Sequence, residues 1–215
     1  DCLYQSGPDA LPIITLTSIL VGMILAYLGA VQLQQFGAEV YVADLVAIGM
    51  LREMGALMTA VVMAGRTGAA YAAQLGTMQG NEEIDAISTL GLSPMAFLVA
   101  PRMLALVITM PLLVVYADAL GIIGGGLVAG GMGISALQYI SQLEQAFSVT
   151  HTLVGLGKSV VFAFLIAFAG CRAGMAAGRN AAAVGRATTD AVVAAVVYLI
   201  VADAGLNILL QRLGI

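Results

Sequence analysis

Five long apolar stretches alternate with short polar breaks along the chain. They run at about Leu11 to Leu33, Leu45 to Met78, Met95 to Leu120, Leu153 to Gly174 and Thr188 to Leu210. Between Ala10 and Ala38 no residue is charged, and ~20 apolar residues carry a helix across a bilayer. The runs are continuous and rich in helix formers, whereas barrel strands alternate in segments of ~10 residues. The pattern predicts an all-α integral membrane protein with five transmembrane helices. The third stretch has glycines beyond Leu120 through which its helix could run on.

The breaks differ in character. Phe36 to Asp44 is short and acidic, and Gly130 to Thr152, with Tyr139, Gln142, Glu144 and Gln145, predicts a short helix at the membrane surface. Cys171 to Asp190 reads as a loop carrying Arg172, Arg179 and Arg186. Basic loops stay cytoplasmic. These arginines and Arg102 place the N-terminus, the 79–94 break and the 171–190 break in the cytoplasm, and the C-terminus outside. Arg212 and Lys158 run against that bias.

The break after the second stretch holds Asn81 to Leu90, NEEIDAISTL. It reads as a short helix. Asn81 is placed to cap it, and Glu82, Glu83 and Asp85 set negative charge at the positive end of the helix dipole. Ile84, Ile87 and Leu90 fall on one stripe. Gly91 stops the helix and Pro94 seals the stop. Two readings stay open: a peg on which a partner docks, or a re-entrant cap packed on its own chain.

Composition fits the membrane assignment. Hydrophobic residues make up 61% and charged residues 9%, against about 25% charged in soluble domains. The net charge of −4 comes with no basic cluster for nucleic acid. Cys2 and Cys171 form no metal or redox spacing and read as unpaired small apolar residues. The chain lacks an initiator Met and a basic stretch before the first apolar run, so it looks trimmed at its N-terminus.

Catalytic signals are poor. Gly157-Lys158-Ser159 resembles the end of a phosphate-binding loop, but Thr152 stands where that motif needs Gly. His151 is the sole histidine and has no ligand partner at spacing, and no nucleophile motif or metal motif is present. The chain therefore reads as no enzyme. Any ATP it uses must be bound by another chain.

Charges inside the apolar stretches carry more information. Arg52, Glu53, Asp118, Lys158 and Asp203 lie within them or at their edges. Such residues face a cavity or a partner, or reach the interface. Both readings stay open for Lys158 and Asp118. The short side chains of Glu53 and Asp203 favour a polar cavity. Gly121/Gly125, Gly126/Gly130, Gly170/Gly174 and Gly174/Gly178 are spaced for close helix approach, as are Ala60, Ala64 and Gly68.

Taken together, ordered motifs resemble the MlaE-type permeases, membrane subunits of ABC transporters that work with Mce proteins on lipids. They are Gly37-Ala38-Glu39, Arg52-Glu53-Met54-Gly55, Ala64-Gly65-Arg66-Thr67-Gly68, Leu75-Gly76-Thr77-Met78 and Asn81 to Ala86. Leu90 to Pro94, Pro101-Arg102, Gly157-Lys158-Ser159 and Gly185 to Thr189 follow in order. The resemblance covers nearly all of residues 1–215, as one permease domain. It implies five membrane helices preceded by an interfacial helix, which is expected to be missing from these 215 residues, and a homodimer around a lipid cavity. Asn81 to Leu90, including Glu82, Glu83, Ile84, Asp85 and Ile87, would be the coupling helix that docks on a cytoplasmic ABC ATPase. ATP and Mg would belong to that ATPase, and this chain would hold no cofactor or metal.

The resemblance also implies a periplasmic Mce-domain partner, and in some members a small cytoplasmic regulatory domain. It puts Arg52 and Glu53 near the cavity and Lys158 and Asp203 on the same polar pathway. Met23, Tyr27, Leu57 and Val61 are expected as apolar lining. One departure is Ala56, where the family usually has Pro, which leaves the helix straighter there. The expected function is a bacterial inner-membrane permease that moves phospholipid between that membrane and the Mce partner and helps maintain outer-membrane lipid asymmetry. The competing expectation is a stand-alone ion-coupled transporter or channel using Glu53, Lys158 and Asp203.

Overall fold

The computed structural model describes residues 7–214. Cys2 and the first residues of the 1–215 domain assignment lie outside them. Among the described residues, five helices are long and apolar enough to cross a membrane. They are α1 (Pro8–Gln34), α2 (Glu39–Gly80), α4 (Met95–Gly131), α6 (Val149–Met175) and α7 (Ala181–Arg212). Two short helices join them, α3 (Glu83–Thr89) and α5 (Ala136–Ala146). No strand occurs among the described residues.

Each expected stretch is present, and each is longer than its apolar run. α4 continues through the glycines to Gly131. The expected loop from Cys171 to Asp190 is corrected. Helix covers all but a short turn, with Arg172 in the last turn of α6 and Arg186 inside α7. Ala and Gly there are small but polar-flanked, so hydropathy fell before the helices ended. Asn180 caps α7, accepting from Ala183 N at 2.7 Å.

The helix around Ala56 is not simply straight. α2 widens into π turns at Met50–Met54 and Ala64–Gly68. Gly55 N–H donates to Met50 O and Ala69 N–H to Ala64 O, each five residues back. Such single π turns bend helices and gather at functional positions. Arg52, Glu53 and Arg66 all sit in them.

Packing divides the chain into two compact units. The first comprises Leu11–Thr59 and Pro111–Ser159. Its apolar core gathers Ala26, Val42, Val46, Met50, Ala129 and Tyr139. α1 buries Ile14, Ser18, Gly22, Ala26 and Ala30, one helical face of mostly small residues. A Cβ on Gly22 would strike the Gly121 carbonyl, so glycine lets these backbones touch. α5 opens on a capping box between Ser135 and Gln138. It anchors through Tyr139, whose hydroxyl donates to Ile122 O at 2.9 Å and whose burial pushes its pKa up to about 12.

The second unit comprises, among the described residues, 7–10, Ala60–Met110 and 160–214. Here α2 packs on α6 and α7 through small residues. A Cβ on Gly170 would lie 2.6 Å from Gly68 O, and one on Gly174 2.7 Å from Leu75 Cβ. Ala60, Ala64 and Gly68 are buried along α2. The glycine spacings at Gly170 and Gly174 therefore mark real close contacts within one chain.

Candidate functional site

The most unusual chemistry in the first unit is a set of charges held inside apolar helices. The first π turn of α2 presents Arg52 and Glu53. Opposite, α6 carries His151, Gly155 and Lys158 at i, i+4 and i+7, one helical face. Lys158 Nζ donates to Glu53 Oε2. The Lys158 side chain is 2% exposed and that of Glu53 27%. Burying an ammonium costs several kcal/mol unless a partner compensates, and Glu53 is that partner. The snorkelling alternative for Lys158 is thereby excluded.

Arg52 Nη1 lies 3.5 Å from His151 Nδ1. Gly155 makes the approach of the two helices possible, because a Cβ there would collide with Leu51 O. His151 and Gly155 were missed as site residues. Their i, i+4, i+7 spacing with Lys158 was the signal that could have found them.

Asp118 of α4 is a further charged side chain in this unit's interior. It is 5% exposed, and its Oδ1 has no hydrogen-bond partner among the described residues. A Cβ on Gly55 would strike that oxygen. Asp118 therefore faces inward onto α2, and the interfacial alternative for it does not hold.

The second unit contains the short helix α3. Asn81 does not cap it, which corrects the expectation. Asn81 Nδ2 donates to Glu83 Oε1 at 3.1 Å, and Glu82 takes the capping position with no side-chain cap. Glu82 has φ +61°, the left-handed region that non-glycine residues rarely enter. The chain reverses there because α2 ends at Gly80 and α3 starts within three residues. The far end follows the expected stop. Gly91, at φ +77°, donates to Ser88 O at 3.0 Å, and Leu92 N donates to Ile87 O at 3.3 Å, a Schellman closure.

The stripe on α3 is divided. Ile84 is 5% exposed and packs inward, Ile87 is half-buried, and Leu90 is 76% exposed. The acidic shoulder is divided too. Arg179, from the turn between α6 and α7, donates to Glu82 Oε1 at 3.1 Å and Asp85 Oδ2 at 2.8 Å. Glu83 forms no such tie to Arg179, and it and Leu90 face outward. Part of the helix is thus a cap on its own chain, and part remains presented. Gly76 of α2 packs on Ala177 and Val184 beside this clamp, its Cβ position 3.1 Å from Ala177 Cβ.

The sequence profile of the family described as Permease MlaE matches residues 1–209. The chain belongs to the MlaE permease family. A probable ABC transporter permease protein of Rickettsia typhi is 35% identical over 92% of this chain and 76% of its own length. The intermembrane phospholipid transport system permease protein MlaE of Haemophilus influenzae is 33% identical over 89% of this chain and 74% of its own. The chloroplastic protein trigalactosyldiacylglycerol 1 of Arabidopsis thaliana is 31% identical over 94% of this chain and 58% of its own. This chain is accordingly a multi-pass membrane permease subunit of the ABC transporter type.

In this MlaE-family permease the remaining expected site residues divide between the units. Met23, Tyr27 and Leu57 lie in the first, with Tyr27 largely exposed. Val61 and Asp203 lie in the second. Asn207 Nδ2 donates to Asp203 Oδ2 at 3.3 Å, one turn along α7. The structure thus brings Arg52, Glu53 and Lys158 together within one unit.

Proposed function

We propose that this permease moves phospholipid or a related lipid across or out of the bacterial inner membrane, driven by a separate cytoplasmic ABC ATPase. The observation that supports this most is α3, a short helix between the second and third spans that presents Leu90 and Glu83 outward. An apolar knob with acidic flanks suits docking into a groove on a partner. The ATPase supplies ATP and Mg; two copies of the permease enclose the cavity; a periplasmic Mce-domain protein receives or delivers lipid above it. A small cytoplasmic regulatory-domain protein joins some such assemblies. The N-terminus and α3 lie in the cytoplasm and the C-terminus in the periplasm. The lipid reading draws on the relative named as an intermembrane phospholipid transport permease.

In this reading Met23, Tyr27, Leu57 and Val61 line the path of the lipid tails. Arg52, Glu53 and Lys158 stiffen its wall and orient the headgroup or the partner, with Asp203 as a further polar point. The ion-coupled alternative draws less support, because Glu53 and Lys158 neutralise each other rather than facing a path as separate charges. Co-purification from native membranes tests the proposal. An ATPase and an Mce-domain protein are expected with this chain. Gradient-driven ion flux by this chain alone in liposomes would overturn it.

A further inference from the structure

Two cavities in the second unit share a wall. One, of about 620 Å³, lies along the end of α6 and the start of α7 and is lined by Arg172, Arg186, Asp190 and Tyr198 among small residues. The other, of about 340 Å³, is lined by Val99, Met103, Phe168 and Met175, with Arg172 as its charged member. Arg172 and Ala176 border both. Both volumes fall in the ~300–1,000 Å³ range of ligand sites. A cationic chamber joined to an apolar slot matches the shape of an amphiphile with an anionic head.

We propose that this junction binds an anionic phospholipid from the surrounding bilayer, with its phosphate at Arg172 and Arg186 and one acyl chain in the slot toward Met103. Arg172 Nη1 donates to Tyr198 OH at 3.2 Å, which fixes the guanidinium and leaves its other N–H groups for phosphate oxygens. Arg186 makes no ion pair among the described residues. Asp190 subtracts one charge, so two arginines less one aspartate leave the chamber with one net positive charge. The first turn of α7, a helix of 32 residues, starts at the chamber's edge after Asn180 and adds the positive end of its dipole. The site lies wholly within the second unit, shares no residue with the Arg52–Lys158 cluster and does not depend on the cargo proposed above.

The test is native mass spectrometry of the purified complex after equilibration with phosphatidylcholine vesicles doped with phosphatidylglycerol. Wild type is expected to retain phosphatidylglycerol in preference to phosphatidylcholine. Arg172→Ala with Arg186→Ala should weaken retention by about tenfold or more, since each surface arginine contributes measurably to anionic lipid binding. Arg212→Ala should leave it unchanged. Met103→Trp fills the slot and keeps both arginines, so it should also lower retention, and it decides the matter alone if the double variant does not fold. Equal retention of the two lipids, or unchanged retention in Met103→Trp, overturns the proposal. So does displacement by inorganic phosphate as effective as by phosphatidylglycerol, which would mark an anion site without a lipid. Disulfide capture of two copies through Ala194→Cys would put a second chain over the chamber and equally overturn it.

Discussion

Replacing Lys158 by Met isolates what the buried pair is worth. The substitution keeps the length and apolar stem of the side chain and removes the ammonium from a position only 2% exposed. It leaves Glu53 without its partner inside apolar helices. Removing one member of a buried pair costs about 3–5 kcal/mol. Glu53 is 27% exposed, so water relieves part of that cost and the low end, about 3 kcal/mol, applies. For a chain of this size that corresponds to a fall of roughly 6–12 °C in melting temperature. The assay is thermal unfolding of the purified complex in one detergent, followed by intrinsic tyrosine fluorescence or by loss of the monodisperse peak. Glu53→Gln with Lys158→Met removes both charges and should recover most of the loss, because a pair replaced as a whole is nearly neutral. A fall of less than about 2 °C in the single variant, or a double variant no more stable than the single, would refute the reasoning.

Other expectations follow from the same geometry. Gly155→Leu inserts a side chain where even a Cβ meets Leu51 O; it should cost at least ~1–3 kcal/mol and lower the melting temperature more than Gly157→Leu, where the space is open. Arg179→Ala removes both ties to α3. These groups are more than half exposed, so stability should change by less than about 1 kcal/mol, while limited proteolysis at 81–91 should speed up; unchanged cleavage would show that the clamp does not hold the helix. Gly91→Ala forces φ +77° on a residue with a Cβ and should cost about 1–2 kcal/mol, read as a small fall in melting temperature.

The spans were legible because a bilayer imposes one demand, continuous apolar helix. Their ends were less so. Ala181 to Thr188 is helical in α7 yet too small and polar to register as span. Asn81 seemed the natural cap by residue type, but capping depends on backbone angles, and the tight reversal after Gly80 put Glu82 there in the left-handed region. The pair Glu53–Lys158 joins residues 105 apart, and sequence spacing cannot show which distant charges meet. The same holds for Arg179, which turned Glu82 and Asp85 from docking groups into internal ties. The π turns left no trace in the hydrophobic pattern, because α2 is apolar nearly all round and has no polar face whose shift would mark an added residue.

That change in the role of the acids alters how the coupling helix should be tested. Charge reversal at Glu82 and Asp85 would break the clamp as well as any docking, so a loss of function there would not discriminate. Leu90 is exposed and its side chain makes no hydrogen bond or ion pair, so Leu90→Asp changes the presented surface and leaves the clamp in place. The direct measurement is lipid-stimulated ATP hydrolysis by the complex purified from native membranes, wild type against Leu90→Asp. A permease driven through α3 predicts that stimulation is lost while the variant still folds; stimulation equal to wild type, with the ATPase still bound, would contradict it.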